Sequence, residues 1–213
     1  TTNVHIGSQI LSNVPYQKMI RVVNSFIEKV SVNFEYVDFG GGMGIDYDSN
    51  KKTFDFKKLA LEINKFSKRN ECKIILEPGR SIIGDTAVLI SKVIYIKEIL
   101  NKDFIILDAG MNDLIRPALY NAKHMIIPAN KSSKKSKKEY DFVGPICETS
   151  DRFLKMKKFQ KLNEGDIVIL KDVGAYGYVL SSNYNVRPMP KEVLVDKSKS
   201  QIISKRQSIK DLI

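Results

Sequence analysis

The 213-residue chain has no tryptophan, two histidines and two cysteines. Cys72 and Cys147 lie too far apart to frame a disulfide scaffold, which points to a reducing, cytoplasmic compartment. The residues show no metal-ligand spacing and no Ser/His/Asp pattern for nucleophilic catalysis. No apolar run approaches the roughly 20 residues of a membrane-spanning helix, and no basic segment leads into an apolar one at the start as a secretory leader requires. Initiator methionine is also missing, and a motif begins as early as His5, so the chain reads as a truncated piece of a longer protein. Acid is scarce relative to base: 24 Asp and Glu stand against 35 Lys and Arg, a net charge of +11. Such an excess invites a nucleic-acid partner. Against that, the lysines are spread along the chain and outnumber the arginines. The one dense cluster, in the low-complexity segment Lys131 to Lys138, has no interleaved aromatics to stack on bases. It reads as a solvated loop, and neither nucleic acid nor membrane is expected as a partner.

What is present is enough apolar residue, 43 %, for a packed core. Met19, Val22, Val23, Phe26, Ile27 and Val30 recur at helical steps, with Pro15 suited to the first turn. Phe34 to Phe39 is a β-forming run ended by glycines. Phe56, Leu59, Ala60, Ile63 and Phe66 predict a second helix capped by Asp55, and Lys73 to Glu77 a buried strand stopped by Pro78-Gly79. Helix and strand in alternation with short links indicate parallel α/β construction over residues 1–82. Past residue 82 the pattern changes. Runs at 86–96, 104–108, 124–128, 140–143, 166–171 and 192–195 predict a mostly β domain over 83–213, with brief helices at 116–120 and 151–154.

Six segments carry chemistry, and each has a plainer alternative. Gly40-Gly41-Gly42-Met43-Gly44 follows a strand, where glycines let backbone N–H groups surround an anion, or simply make a tight turn. Glu77-Pro78-Gly79-Arg80 puts a carboxylate at a strand end, with a guanidinium suited to phosphate or carboxylate nearby. It could equally be a structural ion pair. Both motifs sit just past a strand, the face where a (β/α)8 barrel carries its active site. His5 and Ser8 in His5-Ile6-Gly7-Ser8-Gln9 offer a flat ring and a hydroxyl, whereas His124 reads as a packed or surface residue. Arg116 and Tyr120 lie four residues apart, the spacing that lets two side chains share a helical face and converge on one carboxylate. Pro145-Ile146-Cys147-Glu148 sets a thiol beside a carboxylate, although most free cysteines are inert. Tyr176, between Gly174 and Gly177, could reach a phosphate or only fill its loop.

Taken in chain order, the segments resemble the fold-type III pyridoxal-phosphate decarboxylases, from His5 to the closing residues Glu192–Asp196 and Gln207–Leu212. The glycine-rich and Glu-Pro-Gly-Arg motifs are shared by the ornithine, arginine and carboxynorspermidine branches. The Cys-Glu-x-Ser-Asp and Arg-Pro-x-Leu-Tyr segments favour the diaminopimelate branch. The resemblance implies a fold, with residues 1–82 as the last portion of a barrel that binds pyridoxal 5'-phosphate (PLP) and 83–213 as a β-rich carboxyl-terminal domain. It also implies an activity, the decarboxylation of meso-2,6-diaminopimelate to L-lysine and CO2.

Carried over residue by residue, it implies that His5 stacks on the cofactor ring and that Ser8 and the Gly40–Gly42 loop hold the phosphate. Glu77 pairs with the ring nitrogen, while Gly79 and Arg80 lie at the cofactor, Arg80 touching substrate too. Arg116 and Tyr120 bind a substrate carboxylate, Glu148 the distal amine, and Tyr176 both phosphate and substrate. Cys147 is the proton donor, reaching with Glu148 into the partner subunit's site in a homodimer. Two departures stand out. Thr149 occupies a position where serine is usual. The family's cofactor-anchoring lysine belongs upstream of Thr1, so activity is expected only with the missing amino-terminal half. The rival readings are a related decarboxylase of the same family, acting on ornithine, arginine or carboxynorspermidine, and a non-catalytic regulatory relative.

Overall fold

In the computed structural model, which describes residues 1–48 and 53–213, the chain divides into two units, Thr1–Thr86 and Ala87–Ile213. The first is built from β1 (Thr2–Asn3), α1 (Val14–Val30), β2 (Tyr36–Asp38), α2 (Phe56–Asn70), β3 (Lys73–Ile75) and the single turn α3 (Arg80–Ile83). Its three strands run parallel in the order β1-β2-β3, as short strands linked by helices should. Pro15 lies in the first turn of α1. Asp55 caps α2 by accepting from the Lys58 N–H at 2.9 Å, a bond worth about 1 kcal/mol to a helix end.

Both helices bury narrower stripes than their periodicity predicts. In α1 the buried line is Tyr16, Met19, Ile20 and Val23, with Val22, Phe26 and Val30 exposed; α2 buries Leu59, Ile63 and Phe66 and exposes Phe56. The strand predicted as buried is also partly open: Ile75 and Leu76 are exposed, because β3 ends the sheet and pairs only with β2 among the described residues. The core gathers around Tyr16, Val37, Phe39 and Phe66, where the Phe39 and Phe66 rings meet edge to face at 4.9 Å.

The second unit contains β4 (Leu89–Glu98), β5 (Lys102–Leu107), α4 (Arg116–Tyr120), β6 (Ile126–Pro128), β7 (Glu139–Val143), β8 (Arg152–Met156) and β9 (Ile167–Leu170), followed by the hairpin β10 (Glu192–Asp196) and β11 (Lys199–Ser204). Six strands form one sheet in the order β6-β9-β4-β5-β7-β8. The long β4 is shared, its first residues pairing with β9 and its later ones with β5 across a slip in register between Val93 and Tyr95. Alternate residues of β5 point inward, and Ile105, Leu107, Phe142, Val168 and Leu170 form the core.

The brief helix predicted over 151–154 is absent. Arg152–Met156 is instead an edge strand, antiparallel to β7. Its four-residue helical pattern was too short to resist a neighbour offering a full ladder of backbone partners. The short helix at 116–120 is present. No helix among the described residues is long and apolar enough to cross a membrane.

Candidate active site

In the first unit all three parallel strands release their carboxyl ends at one edge of the sheet, and each leads into a segment singled out by sequence. His5 to Ser8 follow β1, Gly40 to Gly44 follow β2, and Glu77 to Arg80 follow β3. These loops are packed backbone to backbone. A Cβ on Gly41 would stand 2.2 Å from the Glu77 carbonyl oxygen, and one on Gly42 (φ +97°) would stand 2.4 Å from the Gly7 carbonyl oxygen. Neither site tolerates a side chain, so the two glycines serve first to bring the three loops together. The buried Tyr16 hydroxyl fastens the middle loop by donating to the Gly41 carbonyl at 2.7 Å. Burial pushes the Tyr16 phenol up to about 12, since a phenolate has no water there to solvate it.

Side chains then converge on this edge. The Arg80 guanidinium donates to the Tyr47 hydroxyl at 2.7 Å and to the Ser8 hydroxyl at 3.3 Å. The Gly41 N–H faces His5 Nδ1 at 3.4 Å, while Gly40 donates to the Asp38 carboxylate at 2.8 Å. His5, Ser8, Glu77 and Gly79 are exposed. The unit thus brings His5, Ser8, Gly41, Gly42 and Arg80 into one neighbourhood, with Glu77 held beside it through its own backbone.

Strand directions organise the second unit in the same way. β5 and β7 are parallel, and β4 is antiparallel to both β5 and β9. β5, β7 and β9 therefore point the same way, and the segments after them leave one side of the sheet. Those segments carry Arg116 and Tyr120, Cys147 and Glu148, and Tyr176. The Cys147 loop is fixed by Asp151, whose carboxylate accepts from the Met111 and Ile146 N–H groups, each at 2.7 Å. A Cβ on Gly144 would collide with that carboxylate at 2.2 Å. Asp113 acts similarly in the loop after β5, accepting from the Gly110 N–H at 2.8 Å. Burial raises the Asp113 and Asp151 carboxyls above the usual range, and bonds from backbone N–H groups pull the other way. Arg187 adds a tie, donating to Asn112 and to the Asp108 carbonyl.

The exposures differ from what spacing alone suggests. Cys147, Glu148, Tyr120 and Tyr176 are exposed, whereas Arg116 is buried at 6 %. Both cysteines are free thiols, Cys72 buried and Cys147 open.

Residues 16–174 match the family model described as the pyridoxal-dependent decarboxylase C-terminal sheet domain. The chain belongs to this family. A diaminopimelate decarboxylase of Aquifex aeolicus is 42 % identical over 207 residues, covering 96 % of the chain and 49 % of that protein. One of Helicobacter pylori is 39 % identical, covering 100 % of the chain and 53 % of that protein. The chain thus spans about half the length of the curated relatives it matches. Among solved structures, the Helicobacter pylori diaminopimelate decarboxylase complexed with L-lysine superposes with a TM-score of 0.87 at 38 % identity, over 100 % of this chain and 53 % of that one. A diaminopimelate decarboxylase from M. jannaschii in complex with L-lysine gives 0.92 at 35 % identity, over 99 % and 50 %.

The first unit fits the phosphate end of a pyridoxal group. An arginine and a serine hydroxyl meet on its surface, a donor pair that suits a phosphate, and an exposed glutamate follows the adjoining strand. Three supporting side chains were not legible in the motifs. Tyr16 lies inside an apolar helical stripe, and Tyr47 follows the glycine run with no pattern of its own. Asp151 is the closing residue of Cys-Glu-x-Ser-Asp, where a buried carboxylate bound by two N–H groups explains why the segment ends in an acid.

Proposed function

We propose that this chain is the carboxyl-terminal half of an enzyme that decarboxylates meso-2,6-diaminopimelate to L-lysine and CO2 with PLP. In this reading residues 1–82 complete a cofactor-binding (β/α)8 barrel, and residues 83–213 form the β domain that supplies substrate contacts. The enzyme works as a cytoplasmic homodimer, with Cys147 and Glu148 entering the partner's site. The observation that carries the proposal is that the segments bearing Arg116, Cys147, Glu148 and Tyr176 follow three strands pointing the same way in one sheet, in a chain 35–42 % identical to diaminopimelate decarboxylases.

The chemistry assigns each residue a task. The cofactor supplies a sink for the electrons left when CO2 departs. Glu77 would hold a proton at the pyridine nitrogen of the bound cofactor, and His5 would pack against the ring. Ser8, Gly41, Gly42, Gly79, Arg80 and Tyr176 bind and orient the phosphate. One substrate carboxylate leaves as CO2, so the enzyme must grip the other, and a planar guanidinium at Arg116 with the Tyr120 hydroxyl suits that. Arg80 and Tyr176 also reach the substrate, and Glu148 accepts the distal ammonium. The Cys147 thiol returns a proton to the carbon that lost CO2, on one face only, as a positioned acid must.

The test is product formation by the purified full-length protein supplied with PLP. L-Lysine and CO2 should appear from meso-diaminopimelate, with ornithine and arginine turned over far more slowly. Preference for ornithine, or no turnover at all, would refute the assignment.

A further inference from the structure

Arg116 is 6 % exposed and His124 1 % exposed, and they meet with Arg116 Nη1 2.7 Å from His124 Nε2. The other ring nitrogen, Nδ1, lies 2.8 Å from the Lys171 carbonyl oxygen. These two contacts fix the proton. A carbonyl can only accept, so Nδ1 carries the hydrogen, and a guanidinium can only donate, so Nε2 offers its lone pair. The imidazole is neutral in this arrangement and has one tautomer.

The chain arrives at this geometry by local rules. α4 ends at Asn121, whose left-handed conformation closes the helix, and the Ala122 N–H returns to the Arg116 carbonyl at 3.3 Å. Three residues later the Lys171 N–H donates to the Met125 carbonyl at 2.9 Å. That bond sets the start of β6 against the end of β9 and brings His124 to Lys171. Lys171 in turn leads into the segment that carries Tyr176. His124 therefore joins the helix bearing Arg116 to the strand end from which the Tyr176 loop departs.

We infer that His124 is a positioning residue: its neutral ring holds the Arg116 guanidinium in the orientation that receives the substrate carboxylate. The inference rests on the reading of Arg116 as a carboxylate ligand. His124 touches neither substrate nor cofactor in this role. A long, flexible arginine loses conformational freedom when it binds, and a fixed acceptor behind it removes that cost before the substrate arrives. Uniform binding of this kind appears in KM rather than kcat.

The experiment compares three variants of the full-length holoenzyme. Arg116→Met should raise KM for meso-diaminopimelate strongly. His124→Ala should raise KM about tenfold, the scale of one hydrogen bond to a charged group, with kcat nearly unchanged. His124→Gln restores an acceptor for Arg116 and a donor for Lys171, and its KM should return close to that of the unmutated enzyme. If Arg116→Met leaves KM unmoved, the carboxylate-ligand reading fails. If Arg116→Met raises KM but His124→Ala does not, or if His124→Gln is as poor as His124→Ala, the positioning inference fails alone. Should His124→Ala not fold, the ring 15N signals of the unmutated enzyme, assigned by their loss in His124→Gln, decide. A proton on Nδ1 with a lone pair on Nε2 supports the inference, and a proton on Nε2 overturns it.

Discussion

Gly41 lies so close to Glu77 that a Cβ at position 41 would stand 2.2 Å from the Glu77 carbonyl oxygen. The contact joins the loop after β2 to the loop after β3, and it places the carboxylate proposed to face the cofactor ring. By contrast, a Cβ on Gly79 would meet nothing within 4 Å. Gly41→Ala should therefore destabilise the full-length protein by about 1–3 kcal/mol through backbone displacement and weaken PLP binding with it. Gly79→Ala should leave the melting temperature of the cofactor-free protein unchanged. Thermal melts with and without PLP check both; equal losses in the two variants would contradict the packing account.

Tyr16 gives a dependence on pH. Its phenol in the folded unit is pushed up to about 12, whereas an unfolded tyrosine ionises near its ordinary value of about 10. Between those values the folded state binds more protons than the unfolded state, so its contribution to stability is lost as pH rises. Below about pH 10 both states keep the proton and the contribution is constant. Tyr16→Phe removes this loss and also the hydrogen bond to Gly41, which costs about 1 kcal/mol. The variant should melt below the parent at pH 7, and the gap should close as melts are taken from pH 10 towards 12. A gap that stays constant would argue against a buried, neutral phenol.

Asp151 and Cys147 lie on the same loop yet should answer differently. Asparagine at 151 keeps one acceptor and turns an NH2 towards a backbone N–H that it cannot bind, so Asp151→Asn should cost about 1–3 kcal/mol and loosen the loop. Cys147→Ala changes an exposed side chain and should move stability by less than about 0.5 kcal/mol. Its turnover should nevertheless collapse. Denaturant melts beside steady-state kinetics separate the two, and a Cys147→Ala enzyme with normal turnover would remove the thiol from the mechanism.

The proposed dimer makes a quantitative demand. If Cys147 serves the partner's site, Cys147→Ala and Glu77→Ala homodimers are each defective, but exchange of their subunits rebuilds one intact site in every mixed dimer. Random mixing should then restore about a quarter of the sites, given one two-fold interface. No recovery after verified exchange would place the thiol in its own subunit's site.

Much of this arrangement was legible in the sequence because short-range rules decide it. The Asp55 cap, the turn of helix at Arg116–Tyr120 and the β runs of the second unit all follow from residues within a few positions of one another. The strand at Arg152–Met156 was misread because its pairing with β7 is a long-range fact that no local pattern carries. Widths of buried stripes failed for the same reason, since Val22 and Phe26 have the period of a core face yet stay largely exposed, Phe26 meeting the Phe34 ring at its side. At the candidate site, the motifs exposed the residues with reactive groups but not those holding them. The pairing of Arg116 with His124 depends on how β6 meets β9, and the role of Asp151 depends on two N–H groups from separate loops.

The most direct test of a single site assembled from all these segments is a structure of the full-length protein with PLP and L-lysine bound. Glu77 should lie within about 2.6–3.2 Å of the ring nitrogen, with Ser8 and Arg80 at the phosphate and the lysine carboxylate against Arg116. A cofactor seated away from Glu77, or a lysine carboxylate held without Arg116, would contradict the account.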